Sequence, residues 1–399
     1  MRLIGRSPFT LMPIWIVAAC LLYALGWSGL LGPMRSDTIL FLAIVSFCYL
    51  ILAQRKSIDD ELQGSHSLNP AALALITVYF AGAYLENGGI PLLQLLSGSD
   101  YDVYGFGIDG LHIAMLCFTG FYAVRAFRRY LDTRRILDGA AFVWPAILLA
   151  TIANRSAVSF LAFSCALVFI LTRKLSAAWV VALVMAGLVF AFGFGVFGDI
   201  RLAHQIEAAT GVPAERDAIL QFARASEAFS ASGLSPSWLW SYTYFVSPLA
   251  NLNSAFALSG SNLCGQTCDV SGLLFYELMP DVIGNRAATL FGMEPVDPSS
   301  FLVAHDVTAT TMFGSAVAEA GVLGGLGVAA ALAALAILAI RGFRKRAYAV
   351  EGYAILGTMI FFGFFENMVA YSALCGQLVL VVVLSQIRRF WSRDGSRRR

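Results

Sequence analysis

The sequence predicts an all-α polytopic integral membrane protein carrying one large polar loop, and three observations support that class. Of its 399 residues, 58% are hydrophobic and only 13% are charged, with a mean hydropathy of +0.73. An ordinary soluble domain is roughly 25% charged. Apolar runs of spanning length recur along the chain, and Lys and Arg gather on alternate connections between them. The basic residues form short clusters rather than a continuous patch, which speaks against nucleic-acid binding.

A spanning helix needs about 20 mostly apolar residues. Such windows lie at 9–31, 37–53, 68–85, 106–124, 139–153, 156–172, 176–198, 312–340, 350–366 and 370–387. Ten spans follow: seven in residues 1–198, then a loop over 199–311, then three more and a basic tail in 312–399. Arg2 and Arg6 precede the first window, and the stretch from Val17 to Cys20 resembles a lipoprotein cleavage box. The apolar run nevertheless continues to Leu31, so a retained signal-anchor helix is expected. Orientation comes from the excess of Lys and Arg on cytoplasmic connections. Arg55 and Lys56, the arginines from Arg125 to Arg135, Arg173 and Lys174, the group from Arg341 to Arg346, and the tail from Arg388 to Arg399 all fall on one side with the N-terminus. Both termini are therefore expected inside and the long loop outside. No internal repeat of the kind seen in inverted-repeat transporters is visible.

Cys20, Cys48, Cys117, Cys165 and Cys375 fall in apolar windows and read as small packing residues. Cys264 and Cys268 sit in the outer loop, where an oxidising compartment permits a small disulfide. A metal site there is the weaker reading, because no second cysteine pair or nearby histidine completes a ligand set.

In the loop, acidic residues from Asp199 to Asp306 outnumber the four arginines, Arg201, Arg216, Arg224 and Arg286. Its overall field does not attract anions, so any phosphate must be met by individual arginines at short range. A first loop helix is expected over 200–209, ended by Gly211 and Pro213, with Arg201 and His204 on one face. A second is expected over 213–229, in which Arg224 and Glu227 have the spacing of a surface ion pair. Arg201 lies at the interfacial depth of a lipid phosphate. Further along, Trp238, Trp240, Tyr242 and Tyr244 mark an amphipathic aromatic segment, which reads either as an interfacial belt or as the floor of a sugar groove. Arg155 and Glu319 sit at membrane boundaries. A charged side chain at a span centre costs roughly 2.5–3.5 kcal/mol on insertion scales, so such placements point to function. Glu86 and Glu366 read as solvated turn residues, and His112 as a satisfied core histidine.

Several stretches resemble bacterial O-antigen and exopolysaccharide repeat-unit polymerases. "GGIPLLQLLSGSDYDVYGFGIDGLHI" is similar to that family's outer loop and following helix, and "NRSAVSFLAFSCALVFILTRK" to its Arg-led helix with a basic end. "FGDIRLA" is similar to the arginine opening its large periplasmic loop, and "SYTYFVSPLANLNSA" to the aromatic segment within that loop. The likeness runs in order from about Gly88 to Gln386. The family often carries Asp-Phe-Gly in the helix after the loop, where this chain has Glu319, Ala320 and Gly321.

The resemblance implies a GT-C-like, metal-independent glycosyltransferase of the bacterial inner membrane, without cofactor and with its active site facing the periplasm. Its donor and acceptor are polyprenyl (undecaprenyl) diphosphate-linked oligosaccharides, and its partners a chain-length regulator and a flippase. Such chemistry asks for arginines on the departing diphosphate, because they stay charged and pair bidentately with phosphate oxygens. Arg155, Arg201, Arg224 and Arg286 are the candidates. Proton transfer falls to His204, His305 or Glu319, and glycan contact to Trp238, Trp240, Tyr242 and Tyr244. The alternatives are an O-antigen ligase acting on lipid A core and, from another class, a flippase or transporter of the same lipid.

Overall fold

Polar caps and prolines decide where the apolar runs become helices. In the computed structural model, which describes all residues except 1–6, 56–66, 98–104, 174–175, 213–217, 261–262, 265–269, 296 and 398–399, no strand forms among the described residues. The helices before the long loop are α1 (Leu11–Tyr23), α2 (Ser36–Arg55), α3 (Pro70–Glu86), α4 (Pro91–Leu96), α5 (Leu111–Thr133), α6 (Ile136–Thr151), α7 (Arg155–Thr172) and α8 (Ala177–Thr210). The loop holds α9 (Ala218–Phe222), α10 (Glu227–Ala231), α11 (Pro236–Ser259), α12 (Val270–Gly272) and α13 (Asp281–Leu290). Then come α14 (Gly314–Phe343), α15 (Ala349–Phe362) and α16 (Ser372–Arg397). Asn69 caps α3 by accepting from the Ala71 N–H ahead of Pro70, and Asn154 caps α7 by accepting from Ser156 and Ala157. Each amide oxygen thereby satisfies first-turn donors that the helix leaves open.

Among the described residues three helices are long and apolar enough to cross a membrane: Ser36–Gln54 in α2, Ala177–Ala203 in α8 and Gly314–Phe343, which is α14. Shorter apolar helices fill most of the other windows, from Pro8–Tyr23 to Ser372–Arg388. Helix α5 extends beyond its window through Arg125, Arg128 and Arg129, where the side chains are partnered. Arg128 and Glu351 of α15 form an ion pair at 2.7 Å and are only 3% and 2% exposed. Arg129 pairs with Asp138 of α6 at 2.8 Å, and the Thr133 hydroxyl donates to the same carboxylate. Arg125 donates to the Ser67 carbonyl and lies over the Tyr348 ring, and Arg173 donates to the Leu131 carbonyl.

The loop's long helix is built into the core. Leu239, Val246, Leu249, Leu252 and Ala255 of α11 are fully or almost fully buried, packed among α1, α8 and α14. Among apolar helices small residues permit close approach where burial from water supplies little drive. Gly195 and Gly198 of α8 do this: a Cβ on Gly195 would stand 2.0 Å from the Ser237 carbonyl oxygen, and one on Gly198 would stand 1.7 Å from the Trp240 indole nitrogen. Ser241 donates to the Ala191 carbonyl across the same seam, and Ser237 to Asp199.

Two expectations for the start of the loop change. No separate helix begins at Ile200: α8 runs unbroken to Thr210 and stops where Gly211 takes a left-handed turn (φ 70°). The expected helix over 213–229 is interrupted after Phe222, its first residues lying outside the described part. There the backbone is diverted to the connection between α1 and α2: the Gly29 N–H donates to the Arg224 carbonyl at 2.7 Å, and the Ser226 N–H donates to the Trp27 carbonyl at 3.0 Å. Arg224 consequently adopts φ 48°, and no ion pair joins it to Glu227 among the described residues.

Candidate functional site

The expected span over 312–340 is not a continuous helix. Ala320 (φ −128°, ψ 25°) and Gly321 (φ 59°, ψ −151°) are non-helical inside α14. The Gly321 conformation belongs essentially to glycine, since any Cβ meets the backbone there. The break separates Leu323 from Glu319, whose carbonyl would be its partner in a regular α-helix. Leu323 donates instead to the Leu263 carbonyl at 3.1 Å. A backbone donor left unsatisfied in apolar surroundings costs about 1–3 kcal/mol, so this tie matters to the break.

Glu319 is 5% exposed on the loop-side half of the broken helix. Gly272 rests against it: a Cβ there would lie 3.0 Å from the Glu319 Oε1. Gly272 leads into a π-helical turn, Leu273–Glu277, which ends at a second buried carboxylate. The amide of Asn367 donates at 2.7 Å both to the Glu277 carbonyl and to its Oε2, and Ser315 of α14 bonds the same carboxyl. Burial pushes the Glu277 carboxyl above its ordinary range; Asn367 and Ser315 act against that shift, and nearby Glu366 adds to it. Ser315 and Glu319 are four residues apart, so α14 presents both to the Gly272–Glu277 turn from one face.

The rest of the loop is pinned beside this turn by a second buried amide. Asn251 of α11, fully buried, donates to the carbonyls of Val307 and Ala309 at 2.9 and 2.7 Å and accepts from the Val303 N–H at 2.7 Å. The Thr310 and Met312 N–H groups donate to Phe365 and Gly363, and Asp281 donates to Ala370. Glu277, Asn251 and Asn367 escaped the sequence reading. The only mark they leave is a polar side chain in an apolar or aromatic run, "LLFYELMP", "SPLANLNSAF" and "FFENMVAYS".

The expected site residues are distributed as follows. Arg201 is exposed near the end of α8, and Arg224 is exposed in the turn tied to residues 27–29. Arg286 is exposed on α13, its guanidinium 3.8 Å from where a Cβ on Gly110 would lie. Arg155 opens α7 and His204 lies in α8, but their side chains, like all of Arg216, fall outside the described residues. His305 is 96% exposed and stands 3.7 Å from Asp306. Among the described residues no hydrogen bond or ion pair joins Arg201, Arg224 or Arg286 to a carboxylate, and none links them to Glu319 or His305.

The four aromatic rings are used in packing between helices. Trp240 (7% exposed) fills the space above Gly198 and meets Phe222, and Tyr242 accepts from the Trp27 N–H. Trp238 and Tyr244 are half-buried, against Phe192 and against Phe194 and Phe365. His112 shares a 2.8 Å hydrogen bond with Tyr79. Cys264 is disulfide-bonded; Cys268 lies outside the described residues. Among the described residues no three His, Cys, Asp or Glu are grouped as metal ligands.

Comparison with known protein families, with characterised proteins and with solved structures finds no match to this chain.

Proposed function

We propose that this protein is a membrane glycosyltransferase that polymerises polyprenyl-diphosphate-linked oligosaccharide repeat units at the outer face of a bacterial inner membrane. In this reading ten helices span the bilayer with both termini inside. The acceptor hydroxyl attacks the anomeric carbon of the donor, the carbon–oxygen bond to the diphosphate breaks, and the hydroxyl proton passes to a base. The growing glycan is thereby moved to the next lipid-linked unit and polyprenyl diphosphate departs.

The observation that carries the reading is the exposure of Arg201, Arg224 and Arg286 at the loop end without a carboxylate partner among the described residues. Exposed guanidiniums are available to a dianionic leaving group, whose developing charge is commonly the largest target of catalysis. Arg155 is assigned to the same clamp from its place at the head of α7. As base, Glu319 is favoured over His305 and His204 because it is buried where the helix breaks, in surroundings that hold a proton acceptor apart from water. Trp238 and Tyr244, the half-buried rings, are the better placed of the four aromatics to meet sugar.

The broken helix itself favours a second reading, a transporter of the lipid-linked unit, since discontinuous helices bearing a buried acid are typical of transport sites. A cell-free assay decides between them. Purified protein is given a defined lipid-diphosphate repeat unit and the product is resolved on a gel. A ladder of polymer is expected. Transfer only when lipid A core is supplied makes the protein a ligase, and movement of the lipid between leaflets without any glycosidic product makes it a transporter.

A further inference from the structure

Helix α13 buries small residues and exposes large ones. Its buried positions are Gly284 and Ala288, and Gly284 lies so close on the π-helical turn that a Cβ there would stand 2.0 Å from the Phe275 carbonyl oxygen. Its large apolar residues are outside: Ile283 is 59% exposed, Leu290 84% and Phe291 72%. Ile283 and Leu290 are two turns apart and share a face. The Phe291 ring stacks on Phe275, beside which Leu274 is also exposed, so the apolar edge is continuous. Asn285 and Thr289, one turn apart, form a separate polar edge. Between the two edges stands Arg286, exposed and with no carboxylate partner among the described residues.

The helix sits where two apolar helices begin. The Asp281 N–H donates to the Ala370 carbonyl, and the Val282 N–H to the Ser372 hydroxyl at the head of α16. The Arg286 guanidinium lies beside Gly110 at the head of α5, where Ile108 and Leu111 are exposed as well.

We propose that this face of α13 docks on the membrane leaflet at the loop end: Ile283, Leu290 and Phe291 enter the acyl boundary, Arg286 pairs with a phospholipid phosphate, and Asn285 and Thr289 face water. Across a bilayer interface acyl chains, phosphates and water follow one another in the same order as the apolar edge, the arginine and the polar edge follow around α13. Apolar burial in the leaflet supplies the attraction, and arginine keeps its charge and meets phosphate bidentately. A helix facing water would gain from the reverse arrangement, with Leu290 inside and Ala288 outside. The docking needs the bundle to span a membrane but does not need the proposed reaction. The lipid diphosphate of that reaction lies at the same depth and reaches Arg286 in exchange for a phospholipid.

The test uses the full-length protein in vesicles of phosphatidylethanolamine and phosphatidylglycerol, with and without bromine on the acyl chains. Leu290→Trp and Asn285→Trp each add one indole, and the fluorescence each adds over the native protein is followed. Bromolipid is expected to quench the Leu290→Trp increment about twofold, while iodide present on both sides of the vesicle leaves it unchanged. The Asn285→Trp increment is expected to do the opposite. Should either variant fail to accumulate, Phe291→Trp and Thr289→Trp report the same two edges. Adding Arg286→Gln to Leu290→Trp is expected to weaken the bromolipid effect; an unchanged effect overturns the phosphate contact.

Iodide quenching of both increments overturns the docking. So does protection of Leu290→Trp from both quenchers, which would seat a second protein on this face. Bromolipid quenching that appears only once polyprenyl diphosphate is added gives the face to the substrate and overturns it too. The polymer assay on the same vesicles keeps the two readings apart. Edge-specific quenching without a ladder upholds the docking and removes the polymerase, whereas a full ladder with iodide-quenched Leu290→Trp does the reverse.

Discussion

Two sets of arginines, one towards each end of the helix bundle, stand in opposite surroundings. At one end, Arg128 is buried against Glu351, Arg129 against Asp138, and Arg125 against a carbonyl and an aromatic ring. At the other, Arg201, Arg224 and Arg286 stand exposed with no carboxylate partner among the described residues. Burying an ion is costly unless its partner goes with it, so the first set is part of the fold. Exposed guanidiniums at the head of a polar loop contribute little to stability, so the second set is free to meet an anion from outside the chain.

The largest test of this contrast is to remove one member of the buried pair. Arg128→Ala or Glu351→Ala leaves an uncompensated charge between α5 and α15 and is expected to cost about 3–5 kcal/mol, read by thermal unfolding in detergent. The double change Arg128→Met with Glu351→Leu is expected to recover most of that. Single variants that melt like the native protein would erase the distinction.

Next in size is the seam that supports the loop end. Gly198→Ala drives a methyl into Trp240 and is expected to destabilise by about 1–3 kcal/mol. Combining it with Trp240→Ala should cost less than the sum of the two single changes, because the clash is shared. Strict additivity would show that α8 and α11 are not tied there.

A smaller, pH-dependent effect is expected at Glu277. Its carboxyl holds a proton in the folded chain above the range where the unfolded chain releases it. The corresponding stability is fully present below the unfolded value and is lost as pH rises through the folded one. Glu277→Gln, which does not titrate, should melt with the native protein in acid and above it at neutral pH, the gap opening as pH rises. A gap of the opposite sign would mean that the carboxylate is stabilised as the anion. Smallest of all, Arg224→Ala and Arg286→Ala are expected to change unfolding stability by less than about 0.5 kcal/mol. A larger loss would place them with the structural arginines.

Much of the helical framework was legible because apolar runs and their polar breaks are local signals. Asn69 and Asn154 stop and start helices within a turn, and the windows around them hold helices for that reason. The break at Ala320–Gly321 was not legible, since it lies inside an uninterrupted apolar run; only the glutamate before it stood out. Nor was the burial of α11, whose aromatic residues read as an interfacial belt or a sugar-groove floor until Gly195 and Gly198 are seen to let the helix close on α8. The buried pair was hidden for a different reason: Arg128 and Glu351 are 223 residues apart, and a single sequence carries no trace of that contact. For the candidate site, the exposed arginines and Glu319 could be named from the residues, while Glu277, Asn251 and Asn367 emerge only from the folding of distant segments onto one another.

Arg201→Ala bears on the whole argument in one experiment, provided thermal unfolding and the cell-free polymer ladder are measured on the same preparation. The expected result is a native melting temperature with the ladder lost. A ladder of native length at a native melting temperature would contradict the assignment of the exposed arginines to the diphosphate.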